Sequence, residues 1–164
     1  MQVPKDTVAN VARDVLETMA FAFVMPGGDE PSPPEDRMQA SVRFDGPFGG
    51  IASLTLPCAI VPEIAANMLG EDGETVSEQQ QRDAVGELAN VMCGNLVQVL
   101  AGPKPVFNLQ PPRIAVGPDV TEPSAEGDAA IVARIPLENG WAELALVLDE
   151  ACAGVSVAGA EATP

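Results

Sequence analysis

Three polar side chains in the segment SEQQQRDAVGELANVMCGNLVQVLA, residues 77 to 101, have the types and spacing to act together. Asp83, Glu87 and Asn90 stand at i, i+4 and i+7. On a helix they fall on one line, with neighbours about 5–6 Å apart. Gly94 extends the line and Gly86 flanks it. A carboxamide accepts and donates hydrogen bonds without adding charge. Spacing alone favours an ordinary solvated face. Two features weaken that reading. Asn is a poor helix-interior residue, and neither Glu87 nor Asn90 has a Lys or Arg at i+4 to stabilise it. Each interior glycine costs roughly 0.5–1 kcal/mol, a cost met where another backbone or a partner approaches closely.

The rest of the composition excludes most alternatives. The 164 residues contain no His, which removes Ser-His-Asp and Cys-His catalysis and histidine-zinc sites. Cys58, Cys93 and Cys152 are far apart in apolar contexts and form no CxxC, so they read as buried free thiols. No Walker loop, GxSxG or metal-ligand cluster occurs, and no metal site is expected. The glycine-rich run Gly46–Gly50 lies in a hairpin turn, where a phosphate cradle is out of place. With 24 acidic against 8 basic residues, the net charge is -16. Such a field repels nucleic acid and anionic membranes; it favours a partner with a basic patch, or it serves solubility alone. Lys5, Asp6, Arg13, Asp14 and Glu17 interrupt any signal-peptide core, and no uninterrupted apolar run reaches the roughly 20 residues of a membrane span. The expected location is the cytoplasm.

The elements that must position the polar line can be read from periodicity. A helix is expected over residues 6 to 24, capped by Asp6 or Thr7, with Val8, Val11, Val15, Leu16 and Met19 on its apolar side. A breaker-rich acidic loop follows. Residues 37 to 45 alternate, with Met38, Ala40, Val42 and Phe44 on one face. Asp45-Gly46-Pro47 turns the chain into residues 49 to 56, with Ile51, Leu54 and Leu56 continuing the pattern. Pro57 opens a short helix to residue 69, closed by Gly70. Ser77 or Thr75 caps the long helix, which stops at Gly102-Pro103. Its stripe of Val85, Leu88, Met92, Leu96 and Val99 is widened until most of the circumference is apolar, so most of it should be buried. A proline-rich stretch has one extended piece near Arg113 to Val116. A second hairpin turns at Asn139-Gly140, and the last dozen residues are weakly patterned and expected to fray.

The two hairpins resemble one another. Gly50-Ile51-Ala52-Ser53-Leu54-Thr55-Leu56 aligns with Gly140-Trp141-Ala142-Glu143-Leu144-Ala145-Leu146, and Val42-Arg43-Phe44 with Ala133-Arg134-Ile135. A period of about 90 residues is too long for a solenoid. The expectation is one α+β domain over 1–164, built of two helix-hairpin units, about 6–70 and 77–158. Their hairpins would join in one mostly antiparallel sheet covered by the two long helices.

Asp83-Ala84-Val85-Gly86-Glu87-Leu88-Ala89-Asn90-Val91-Met92-Cys93-Gly94-Asn95 resembles the signature of the CheC/CheX family of chemotaxis phosphatases. That signature has an acidic residue or Ser, three spacers, Glu, two spacers and Asn. The CheX form, with Gly and Asn shortly after, is reproduced by Gly94 and Asn95. Leu16-Glu17-Thr18-Met19-Ala20 is similar to the first helix of CheX-like proteins. One departure is visible: the family pattern places a proline where Arg113 stands, and Pro111 and Pro112 precede it. The resemblance implies a CheC-like fold and hydrolysis of the aspartyl phosphate on a CheY-like receiver. It implies that Asn90 orients the water and Glu87 pairs with the receiver's lysine. Asp83, Gly86 and Gly94 would contact the partner. It implies no cofactor beyond the Mg²⁺ that the receiver carries. On the first helix, Ala20 falls where Asn90 falls and Arg13 where Asp83 falls, which implies a single site, as in the CheX branch. CheX-type dimers join sheets, and the strand at 141 to 148 would offer the edge. Two rival readings share the fold: a non-catalytic adaptor for a signalling partner, and a flagellar-switch element.

Overall fold

The chain is described from a computed structural model over residues 3–22, 24–25, 36–121, 130–138 and 140–149. The loop after the first helix, Asn139, Cys152 and the last dozen residues lie outside them.

Helix α1 spans Lys5–Met19 and buries Val8, Val11, Ala12, Val15 and Leu16 on one stripe. It begins at Pro4 with no side-chain cap, so neither Asp6 nor Thr7 plays that role. It also ends five residues before the expected residue 24. The Leu16 carbonyl accepts from both the Ala20 and Ala22 N–H groups, and Phe21 turns into the left-handed region at φ 51°. The chain then meets the sheet: Val24 bridges Leu137, and the Met25 N–H donates to the Pro136 carbonyl. Pairing with a strand replaced another helical turn.

Strands β1 (Arg37–Asp45) and β2 (Gly50–Pro57) form the first hairpin. A short turn of 3₁₀ helix leads into α2 (Val61–Leu69), closed by Gly70 at φ 69°. Helix α3 (Glu78–Ala101) follows. Ser77 caps it with a full capping box: its hydroxyl accepts from the Gln80 N–H while the Gln80 side chain accepts from the Ser77 N–H. Strands β3 (Asn108–Leu109) and β4 (Arg113–Val116) both pair with β1, and β5 (Ala130–Leu137) and β6 (Gly140–Leu148) form the second hairpin. The two-residue β3 was not expected in a proline-rich stretch. The ring of Phe107 holds it there, edge-on against Phe44 and Phe48 with centroids 6.2 and 5.0 Å away.

All six strands lie in one antiparallel sheet of order β3-β1-β2-β6-β5, with β4 also on β1. The hairpins join where β2 meets β6, and there Leu54 faces Leu144, a pair the sequence repeat makes equivalent. The outer strands are related differently. Ile51 faces Arg43, and its counterpart Trp141 faces Pro136, so the pairing sets Arg43 against Pro136 rather than Arg134. Strand β6 is interior, between β2 and β5, so it offers no free edge; the end strand on that side is β5.

One sheet face carries Ala40, Val42, Phe44, Leu54, Leu56, Ile135, Leu144 and Leu146, all buried with the stripes of α1 and α3 in a single core. Ile51 points to the other face and is 37% exposed, because it is out of phase with Leu54. That other face carries a buried polar row in which Gln39 donates to Thr55 and Arg134 to Glu143, at 3.2 and 2.9 Å. By length and composition α3 could cross a membrane, but here its apolar side forms the core. Val99 departs from the expected stripe and is 47% exposed.

Cys93 is buried and Cys58 half-buried. Burial pushes the Cys93 thiol up to about 12. Burial, then the charge of Asp36, pushes Cys58 up to about 11. Unfolding restores both towards 9.0, so their contribution to stability is fully present below pH 9.0 and is lost as pH rises towards 11 and 12. Alkylation of Cys58 and Cys93 by iodoacetamide at pH 8 is therefore expected to be slow in the native protein and fast in urea, read by mass spectrometry of their peptides. Ser77→Ala is expected to lose about 1 kcal/mol in denaturant titration, because it breaks the capping box.

Candidate functional site

The site is a consequence of how α3 is buried. Ala84, Val85, Leu88, Ala89, Met92 and Cys93 face the core or α2. Between residues 82 and 91 the helix leaves Arg82, Asp83 and Glu87 exposed and Asn90 and Val91 half-buried, which includes the polar line read from the sequence. The Asp83 carboxylate accepts a hydrogen bond from Gln79 Nε2 at 2.8 Å. No hydrogen bond or ion pair among the described residues engages the Glu87 carboxylate or the Asn90 carboxamide. A half-buried carboxamide with no partner among the described residues keeps its oxygen and NH₂ open to solvent or to an outside ligand.

Gly86 explains the cleft's second wall. It is buried, and a Cβ there would lie 3.0 Å from Pro112 Cγ and 3.6 Å from Ile114 Cδ1. The missing side chain lets Pro112 lie directly on α3 before β4 begins. Pro112 thus fills the place beside the helix, one residue ahead of the position expected from the sequence pattern. Arg113 pairs with Ser41 across β1 and lines a different cleft, with Arg43 and Gln39.

Between these walls is an open cleft of about 480 Å³, lined by Asp83, Gly86, Glu87 and Asn90 together with Gln79, Arg82, Pro112 and Ile114. Four of the five sequence-derived site residues are therefore brought together. Gly94 is not part of this lining, and nothing lies within 4 Å of where its Cβ would stand. Sequence reasoning missed Gln79 and Arg82, although each is four residues before a member of the site and so on the same helix face. Pro112 and Ile114 arrive by strand pairing, which local periodicity cannot show. Arg82 supplies a guanidinium to an otherwise acidic rim and has no internal partner among the described residues.

The counterpart positions on α1 are different. Glu17 is exposed, Arg13 donates to Asn10 at 3.0 Å, and Ala20 is fully buried at the helix end, where its carbonyl accepts from Asn67 Nδ2 at 3.0 Å. Among the described residues no group of three or more His, Cys, Asp or Glu could hold a metal ion.

The two glycines of α3 should respond oppositely to the same change. Gly94→Ala meets open space and is expected to gain roughly 0.5–1 kcal/mol in denaturant titration. Gly86→Ala gains the same propensity but crowds Pro112, and is expected to be neutral or destabilising. Gly86→Leu should displace Pro112 and open the cleft, visible as shifted proline resonances.

Residues 38–135 match the family described as "Chemotaxis phosphatase CheX". No curated protein matches the chain. Several solved structures share its fold. CheX in a CheX-CheY-BeF3-Mg²⁺ complex from Borrelia burgdorferi aligns with TM-score 0.67 at 18% identity, over 88% of this chain and 97% of that one. CheX from Desulfovibrio desulfuricans aligns with TM-score 0.69 at 21% identity, over 88% and 97%. A CheC-like superfamily protein from Shewanella sp. PV-4 aligns with TM-score 0.67 at 25% identity, over 91% and 99%. The family match runs from β1 through the whole of α3 into β5, so it takes in the cleft and both of its walls, and the chain belongs to the CheX family of chemotaxis phosphatases.

Proposed function

We propose that this protein hydrolyses the aspartyl phosphate of a CheY-like receiver domain at the α3 cleft. The observation that carries the reading is the Asn90 carboxamide: half-buried, without a partner among the described residues, and one helical turn from the exposed carboxylate of Glu87. An acyl phosphate is already labile, so catalysis asks mainly for a water held in line with the phosphorus. The Asn90 oxygen accepts from that water and the NH₂ donates onward, with no charge added beside the phosphoryl group. Water oxygen bonds to phosphorus, the bond to the aspartyl oxygen breaks, and the receiver regains its carboxylate as inorganic phosphate leaves. Both protons of the water stay with the departing phosphate, so neither residue has to take one, which suits a chain without His.

Glu87 would pair with the receiver's lysine and set the register of α3. Asp83 contributes at the rim. Gly86 seats the proline wall, and Gly94 leaves a bare stretch of helix on which a partner's backbone can lie close. The only metal needed is a Mg²⁺ brought by the receiver; the B. burgdorferi relative is a complex of CheX with CheY, BeF3 and Mg²⁺.

The test is decay of a phosphorylated receiver, with binding of the same receiver activated by BeF3 and Mg²⁺ measured in parallel. Asn90→Ala is expected to slow decay about 100-fold with binding almost unchanged. Glu87→Ala is expected to slow decay and to weaken binding about ten-fold. A double variant that still accelerates decay at the native rate overturns the reading. Native protein that binds the activated receiver without accelerating decay makes the protein an adaptor instead.

A further inference from the structure

The ridge formed by Asp83 and Glu87 has two sides. Asn90 and Pro112 lie on one. On the other is a second cleft of about 440 Å³, and its character is opposite: Met19, Met68, Leu69 and Ala84 make an apolar floor, with Gln80, Asp83 and Glu87 at the rim. It forms where three helices meet. The hydrogen bond from Asn67 Nδ2 to the Ala20 carbonyl fastens the end of α1 to the end of α2, which brings Met19 beside Met68. Gly70, at φ 69°, then turns the chain away and leaves Leu69 48% exposed. Phe21, next after Ala20, is 64% exposed with a left-handed backbone. Exposed Glu71 and Asp72 follow Leu69.

We infer that this apolar socket is a second docking point for the same receiver, taking an apolar side chain that has a basic residue as its neighbour. The inference rests on the proposed function for the identity of the partner. Three observations fix the occupant. The socket and the Asn90 cleft share Asp83 and Glu87, so any element that lays a lysine on Glu87 covers the ridge from which the socket descends. Flexible Met side chains on the floor adapt to an inserted apolar group. The rim is acidic, so the group that fits is apolar and basic together. A second copy of this chain is a poor occupant, because it would bring 24 acidic residues against 8 basic ones to an acidic rim. An apolar anchor ringed by charge is also how few residues come to carry most of an interface's affinity.

Leu69→Gln tests this with little risk to the fold, since Leu69 is the exposed last residue of α2. The probes are the CheY-type receivers of the source organism, activated with BeF3 and Mg²⁺ for binding and charged with phosphoramidate for turnover. Leu69→Gln is expected to weaken binding and raise KM about ten-fold, with kcat within about two-fold of native. Leu69→Met should retain native affinity. Unchanged affinity in Leu69→Gln overturns the inference. So does a Leu69→Gln variant whose only effect is to change self-association in sedimentation, and so does a native chain that binds no receiver. Asn90→Ala separates the two readings. If it turns over normally while Leu69→Gln binds weakly, the hydrolytic assignment falls and the docking point stands. If it is inactive while Leu69→Gln binds as native, the reverse holds.

Discussion

The burial of α3 against the sheet is the constraint on which the site depends. A helix of 24 residues that turns Val85, Leu88, Met92 and Leu96 into the core, and Ala84 towards α2, is committed on one side, and fewer of its residues are buried than its apolar composition leads one to expect. Its rotation about its own axis is therefore fixed by packing, and any rotation would bury a carboxylate or expose a leucine. Asp83, Glu87 and Asn90 are held in line by the same contacts that stabilise the domain. A positioning chemistry needs this kind of rigidity, because its rate depends on where a water is held rather than on a strong acid or base.

Charge is distributed in a way that matches the proposed partner. Several basic side chains are used internally, among them Arg43 with Asp149 and Asp45, Arg134 with Glu143, and Arg13 with Asn10. Arg82 is different, because it reaches the cleft without an internal partner among the described residues. Glu87 and Asp83 stand on the ridge between a polar cleft and an apolar one. A receiver that offers a lysine and an apolar group together meets both kinds of surface at once, and a generic cation meets only one.

Much of this was legible in the sequence, and the limits have physical causes. The polar line on α3 was readable because helical period alone places it. The hairpins were readable because alternation and turn residues are local signals. The end of α1 was misplaced because Phe21, Ala22 and Val24 look helical by pattern, while the hydrogen bonds that divert them go to Leu16 and to β5. Strand β3 was missed because its support is the Phe107 ring on Phe44 and Phe48, a contact between distant residues. The site's far wall was half-legible. Gly86 announced that something approaches α3 closely, but only strand pairing shows that it is Pro112. Strand β6 read as a possible edge because a long apolar strand gives no sign of its neighbours; pairing on both sides places it inside the sheet.

The two helices also show why similar halves need not carry similar sites. On α3 the carboxamide lies in mid-helix, so the turns before and after it fix its direction. Its counterpart Ala20 lies past the last turn of α1, fully buried, with its carbonyl bonded to Asn67. A polar side chain grafted at residue 20 would have to displace core atoms, and it would lie at a helix end that the Asn67 bond already uses to fasten α1 to α2. That junction brings Met19 to Met68 and so builds the apolar floor beside Glu87. In the proposed reading, the end of α1 that holds no carboxamide instead supplies part of the surface on which the partner of α3 rests.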